Sequence, residues 1–188
     1  AHYWVSPVHE LQMEINGTKD YTLTGDCLRA VERCPSEADA YVVLARLWEG
    51  EPERVLFYLD QGRAATSNQE PAVPPGVSPW QDHLYRDVLR LHFIRAETLL
   101  ELKRPDEAFQ EYEALLKIDP EDAMGAALWY VPALIKWGRY ADAQRVHHRY
   151  CSTFRPDTPW TDALLAWATG NRDHAKTHLA KALKENAL

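Results

Sequence analysis

A chain of 188 residues, 46% of them apolar, with a formal net charge of −7 can bury roughly 70% of the surface its unfolded form exposes. It is too acidic for the basic stripe that a nucleic acid or an anionic membrane surface demands, and no run approaches the roughly 18 apolar residues of a membrane span. Cys27, Cys34 and Cys151 make an odd count; on one helix, Cys27 and Cys34 would stand roughly 10 Å apart, beyond disulfide reach. That pattern, with no signal-peptide core at the N-terminus, predicts a reducing, cytoplasmic setting.

Residues 1–20 have no clean period and are expected to form an irregular helix or a capping segment. Ala30 and then Tyr41, Leu44, Ala45 and Trp48 fall at helical spacing on either side of Pro35. Ser36 with Asp39 reads as a capping box for the second of these helices. After Gly50-Glu51-Pro52, the residues Val55, Leu56, Leu59 and Ala64 predict its partner. Residues 67–79, rich in Pro, Gly and polar side chains, read as a loop, and Ser78 with Gln81 as the capping box of the next helix.

The strongest pattern follows. Leu89, Phe93, Ala96, Leu99 and Leu100 form one helical stripe. Lys103-Arg104 interrupts it, and Pro105 opens a second helix where its missing N–H costs nothing, with Asp106 and Glu107 in the first turn. That helix carries Ala108, Phe109, Tyr112, Leu115 and Leu116 and stops before Asp119-Pro120, where Asp119 is expected to cap the next. Ala126, Trp129, Tyr130 and Ala133 continue as a stripe in which Pro132 is expected to kink or locally widen the helix near Leu128–Pro132 without breaking it; Gly138 closes it, and Ala143, Val146, His147 and Tyr150 mark its partner. Trp160, Ala163, Ala166 and Trp167, then Gly170, then Ala175, Leu179 and Ala182 repeat the design. Ala108, Ala143 and Ala175 recur 35 and 32 residues apart, around the roughly 34-residue period of one helix–turn–helix repeat.

On these residues the chain resembles the tetratricopeptide-repeat superfamily. A unit begun at Leu89 places Ala96, Leu99, Ala108, Tyr112, Leu115 and Pro120 where that family has small or apolar residues and a proline. A unit begun at Met124 places Gly138 and Ala143 correctly, with Val131 at a small-residue position and Pro156 one residue late. A unit begun at Pro156 fits through Ala163, Ala166, Gly170, Ala175, Leu179 and Ala182. More loosely, from Cys27 onward the chain is similar to bacterial tetratricopeptide proteins related to the tumorigenicity-suppressor family. The resemblance implies an all-α fold, an α-solenoid of antiparallel helix pairs with about ten helices, roughly 60% or more helix and no sheet. One domain is expected over residues 1–188, with degenerate pairs in 1–66, a loop insertion at 67–79 and repeats in 80–188.

No catalytic motif is present: there is no P-loop, GxGxxG, GxSxG, HExxH or CxxC. His174 and His178 share a helix face but lack the further ligands a zinc site needs, so no metal and no cofactor are expected; Cys27 and Cys34 read as small core residues. The predicted function is that of a non-enzymatic scaffold for a protein or peptide partner. The alternatives are a self-associating subunit, as a homodimer, and, more remotely, a ligand-binding or enzymatic helical domain. The family lines its concave groove with the first helix of each pair, which places Arg46, Arg90, Phe93, Ile94, Glu97, Leu128, Trp129, Lys136, Trp160, Leu164 and Trp167 in the groove. The competing reading of Trp129, Trp160 and Trp167 is that they are core. A carboxylate clamp of the chaperone type is not expected, because Phe93, Glu97, Trp129, Asp157 and Thr161 stand where its polar and basic residues would be.

Overall fold

The computed structural model describes residues 21–67, 78–151 and 158–185; the expectations for residues 1–20 and for most of the 67–79 loop lie outside them. Among the described residues there are nine α-helices and no strand. They are α1 (Tyr21–Arg33), α2 (Ala38–Leu47), α3 (Pro52–Thr66), α4 (His83–Glu101), α5 (Pro105–Ile118), α6 (Ala127–Lys136), α7 (Tyr140–Val146), α8 (Thr158–Ala168) and α9 (Arg172–Glu185), with a π-helical turn over His147–Cys151 continuing α7. The chain divides into two compact units, Ala1–Glu111 and Tyr112–Leu188.

In the first unit α2 is central. Nine of its ten residues are buried, all but Arg46, as expected of a helix that is apolar around most of its circumference. Ala40, Val43, Leu44 and Leu47 meet Cys27 of α1, while Ala38, Val42 and Ala45 meet Val55 and Leu59 of α3 and Leu91 of α4. Leu56, Leu99 and Ala108 close a further cluster between α3, α4 and the start of α5. At Gly62 of α3 the neighbouring helices approach closely. A Cβ there would lie 2.6 Å from Leu91 Cδ1 and 2.8 Å from Tyr41 Cβ, far inside van der Waals contact.

Charge is also buried in this unit. Glu111 is 2% exposed and accepts hydrogen bonds from Arg95 Nη1 at 2.6 Å and His92 Nδ1 at 2.7 Å, with Arg63 Nη1 at 3.4 Å. Arg95 Nε donates to Asp60 at 2.7 Å. Burial pushes the Glu111 carboxyl up, but the bond and charge of His92 and the charges of Arg95 and Arg63 more than reverse this, leaving it below the usual range.

The second unit is built from the rest of α5 and from α6–α9. Tyr112 and Tyr130, both fully buried, stack between α5 and α6. Between these helices Asp122, at φ 50°, accepts bonds from the Ala126 N–H at 2.6 Å and the Ala127 N–H at 3.3 Å. Ala126 stands at the cap of α6 without a side-chain cap bond, so it is the Asp122 carboxylate that meets the N–H groups at this helix start; Asp119 instead receives the Met124 N–H at 3.1 Å within the turn. Helix α6 runs unbroken through Pro132. The α7 partner ends differently from expectation, for Cys151 is buried and Tyr150 only half so.

Three first helices stop in one way. Lys103 (φ 61°), Gly138 (φ 73°) and Gly170 (φ 84°) all turn left-handed. The next N–H, from Arg104, Arg139 or Asn171, then reaches back 2.8 Å to the carbonyl of Leu99, Leu134 or Ala166. This is the Schellman closure, which satisfies carbonyls the helix end would orphan.

Two further capping expectations are corrected. Helix α2 begins at Ala38 with Glu37, not Ser36, at the cap and no side-chain cap bond. Helix α4 begins at His83, after a turn in which the Gln81 N–H bonds the Ser78 carbonyl at 2.9 Å. Cys34 is exposed beyond the end of α1, not core as expected, whereas Cys27 and Cys151 are buried; none is in a disulfide. Leu179, expected to be buried, is 42% exposed, because the inward face of α9 is carried by Ala175 and Ala182.

Candidate functional site

The residues assigned to a groove fall in both units. In the second unit they lie on α6 and α8, neighbouring first helices that pack against each other. Helix α6 turns Ala127, Tyr130, Val131, Ala133 and Leu134 inward, which leaves Trp129, 59% exposed, and Lys136 on its outer side, with Leu128 half-buried. On α8, Thr161 and Ala163 are buried, while Trp160 (41% exposed), Leu164 (39%) and Trp167 (57%) point outward. Their i, i+4, i+7 spacing makes a single stripe along one helix face. The three tryptophans are therefore not core residues. Arg172, at the start of α9, places its guanidinium carbon 3.4 Å from the centre of the Trp167 ring, near enough for a cation–π contact. Nothing in the spacing marks Arg172, since the pairing crosses the Gly170 turn and links two helices.

In the first unit the assigned residues sit on α2 and α4. Arg46 is exposed; Arg90, Phe93, Ile94 and Glu97 are half-buried. Ile94 packs against the cluster of Val42, Leu59 and Leu91, so part of its surface belongs to the core. Arg90 stands 3.5 Å from Asp87 and 5.9 Å from the centre of the Trp80 ring. Burial and the neighbouring Asp39 charge push the Asp87 carboxyl up to about 6, against the opposing charges of Arg90 and Arg86. This surface is more polar and more enclosed than that of α6 and α8.

Reactive side chains are engaged elsewhere. Burial, with Asp26 and Asp39 adding, pushes the Cys27 thiol up to about 11, so it is not an activated nucleophile. Asp162 of α8 lies between two histidines: His147 Nε2 is 2.8 Å from one oxygen, off the line of a hydrogen bond, and His178 Nδ1 is 3.4 Å from the other. Among the described residues no group of three or more His, Cys, Asp or Glu is arranged to hold a metal ion, and no helix is long and apolar enough to cross a membrane.

Comparison with known proteins agrees with the helix pairs. The family model for the tetratricopeptide repeat matches residues 89–122, which span most of α4, all of α5 and the turn after it. No curated protein sequence matches the chain. The crystal structure of MamA superimposes with a TM-score of 0.71 over 98% of this chain and 97% of that one, at 12% identity. PilF of Pseudomonas aeruginosa superimposes with a TM-score of 0.43 over 96% and 90%, at 17% identity.

Proposed function

We propose that this chain, a member of the tetratricopeptide-repeat superfamily, is a non-enzymatic scaffold that holds a peptide or helix of a protein partner on the outward faces of its first helices. The observation that carries the reading is the exposure of Trp129, Trp160, Leu164 and Trp167 on two neighbouring first helices. Large aromatics held outward on rigid helices cost solubility unless something covers them, and Trp is the residue most enriched where binding energy concentrates. An amphipathic helix or an extended peptide presents the apolar spacing that such a stripe accepts. Arg46 and Lys136, both exposed, and Arg90 and Glu97, half-buried, supply charges that set orientation more than affinity. The net charge of −7 favours this class of partner over a nucleic acid.

The test is capture from the source cell's lysate on the full chain and on its Trp129→Ala/Trp167→Ala variant, compared at equal melting temperature. A protein retained by the first and lost from the second supports the reading. An identical set on both overturns it.

A second reading is self-association, favoured by Leu179 (42% exposed) and Leu183 (56%), one turn apart on α9. Light scattering separates the two. A dimer that persists at nanomolar concentration and dissociates in Leu179→Ser/Leu183→Ser identifies a second copy as the occupant of that face.

A further inference from the structure

Away from the tryptophan stripe, the second unit contains a cavity of about 440 Å³ bounded by α5, α6, α7 and the π-turn. Leu116, Pro120, Val146 and Tyr150 give it apolar walls. Three cations line it, Lys117 of α5, Arg145 of α7 and Arg149 of the π-turn, against one carboxylate, Glu113. This is a local excess of positive charge in a chain of net charge −7.

The one acid is already occupied. Tyr130 Oη donates to Glu113 Oε1 at 3.4 Å, and Arg145 Nη2 approaches the same oxygen at 4.0 Å. Burial and the Glu113 charge hold the Tyr130 hydroxyl protonated. Arg145 is also fixed by Asp142 at 3.0 Å. Lys117 and Arg149, both exposed, make no ion pair among the described residues; the Arg149 guanidinium lies 5.2 Å from the centre of the Tyr150 ring. The π-turn supplies both Arg149 and Tyr150, and such local widenings recur at functional sites.

We infer that this cavity binds a small organic anion, a carboxylate or phosphate ester carried on an apolar or aromatic body. Its volume falls within the roughly 300–1,000 Å³ of small-molecule sites. Lys117 and Arg149, without an ion pair among the described residues, are placed to meet the oxyanion, with Arg149 able to present its planar fork to two oxygens at once. Leu116, Val146 and Tyr150 cover the body. The site is separate from the tryptophan stripe and does not depend on it.

Calorimetric and NMR titrations at low ionic strength, with phenyl phosphate, phenylacetate and neutral benzyl alcohol as probes, test the inference. The expected result is saturable binding of one or both anions at a roughly millimolar or lower Kd, weakened by added salt. Binding should weaken about tenfold or more in Lys117→Gln/Arg149→Gln and stay unchanged in Trp129→Ala/Trp167→Ala. Preference for phenyl phosphate identifies a phosphate ester as the source, and equal affinity for phenylacetate a carboxylate. If the double variant loses helicity, Lys117→Gln alone carries the same test, because that side chain is exposed. Absence of saturable anion binding, equal binding of benzyl alcohol, or binding unaltered in the folded variants overturns the inference.

Discussion

Tyr112 and Tyr130 lie face to face, their ring centres 4.8 Å apart and their planes within 10°. The pair joins the second helix of one repeat to the first helix of the next, and both side chains are shut off from water. Removing one ring takes away buried area and leaves a void against the other. Tyr112→Ala is expected to cost about 3–5 kcal/mol in urea unfolding, whereas Tyr112→Phe, which keeps the stacked rings, should cost about 1 kcal/mol. Equal losses in the two variants would locate the stabilisation in the hydroxyl instead of the stack.

Gly62 offers a test in which helix propensity and packing oppose each other. Alanine is favoured over glycine in a helix by about 1 kcal/mol, yet a methyl at this position would meet Tyr41 Cβ at 2.8 Å. That atom is fixed to the α2 backbone and cannot swing away. Gly62→Ala is therefore expected to destabilise the first unit by about 1–2 kcal/mol, since overpacking outweighs propensity. A stabilised variant in thermal melts would contradict the close approach of α3 to α2.

Lys103 occupies a left-handed position that Gly138 and Gly170 fill in the later repeats. A side chain with a Cβ is strained there by roughly 1–2 kcal/mol, so Lys103→Gly should raise stability by about 1 kcal/mol. Gly138→Ala and Gly170→Ala should lower it by a similar amount. The three denaturation midpoints are sufficient to check the ordering.

Two carboxyls of the first unit give opposite dependences on pH. Asp87 is raised to about 6 in the folded chain, so the folded state takes up its proton first, and this group adds stability as pH falls from about 7 toward 4. Glu111 is lowered by its basic partners; its contribution is intact at neutral pH and is lost once pH falls through its folded value. Denaturant midpoints should therefore rise on mild acidification and then fall. Asp87→Asn should remove the rise and leave the fall, and persistence of the rise in that variant would exclude Asp87 as its source.

Much of this architecture is legible in sequence because helix pairs advertise themselves locally. Leu89, Leu99, Ala108, Leu115, Ala143 and Ala182 stand at helical spacing and are all buried. The stop at Gly138 and the opening proline at Pro105 follow from backbone preferences that act within a few residues. Cap assignments fared worse. Asp119 and Asp122 are both plausible caps, and the choice depends on the left-handed turn at Asp122, which a single sequence does not reveal. Spacing also could not decide whether Trp129, Trp160 and Trp167 face inward or outward, since a stripe of large apolar residues has the same period either way; neighbouring Ala and Thr residues take the buried positions. The Glu111 network and the cations around the cavity were illegible for another reason, being assembled from residues distant along the chain.

The π-turn explains an irregularity in the repeats themselves. Leu115 follows Ala108 by seven residues and Ala182 follows Ala175 by seven, and all four are buried. After Ala143 the corresponding buried seat is taken by Cys151, eight residues on, while Tyr150 stands half outside. Pro156 comes one residue later than the family pattern places it, by the same displacement. The turn over His147–Cys151 is thus the physical form of a single-residue insertion, absorbed by local widening so that the helix keeps its register. Deleting exposed His148 should let this helix close into ordinary α winding, with Cys151 still buried and the melting temperature little changed. Deleting exposed Lys176 from α9, where no surplus exists, should rotate Ala182 out of its buried place and lower the melting temperature far more.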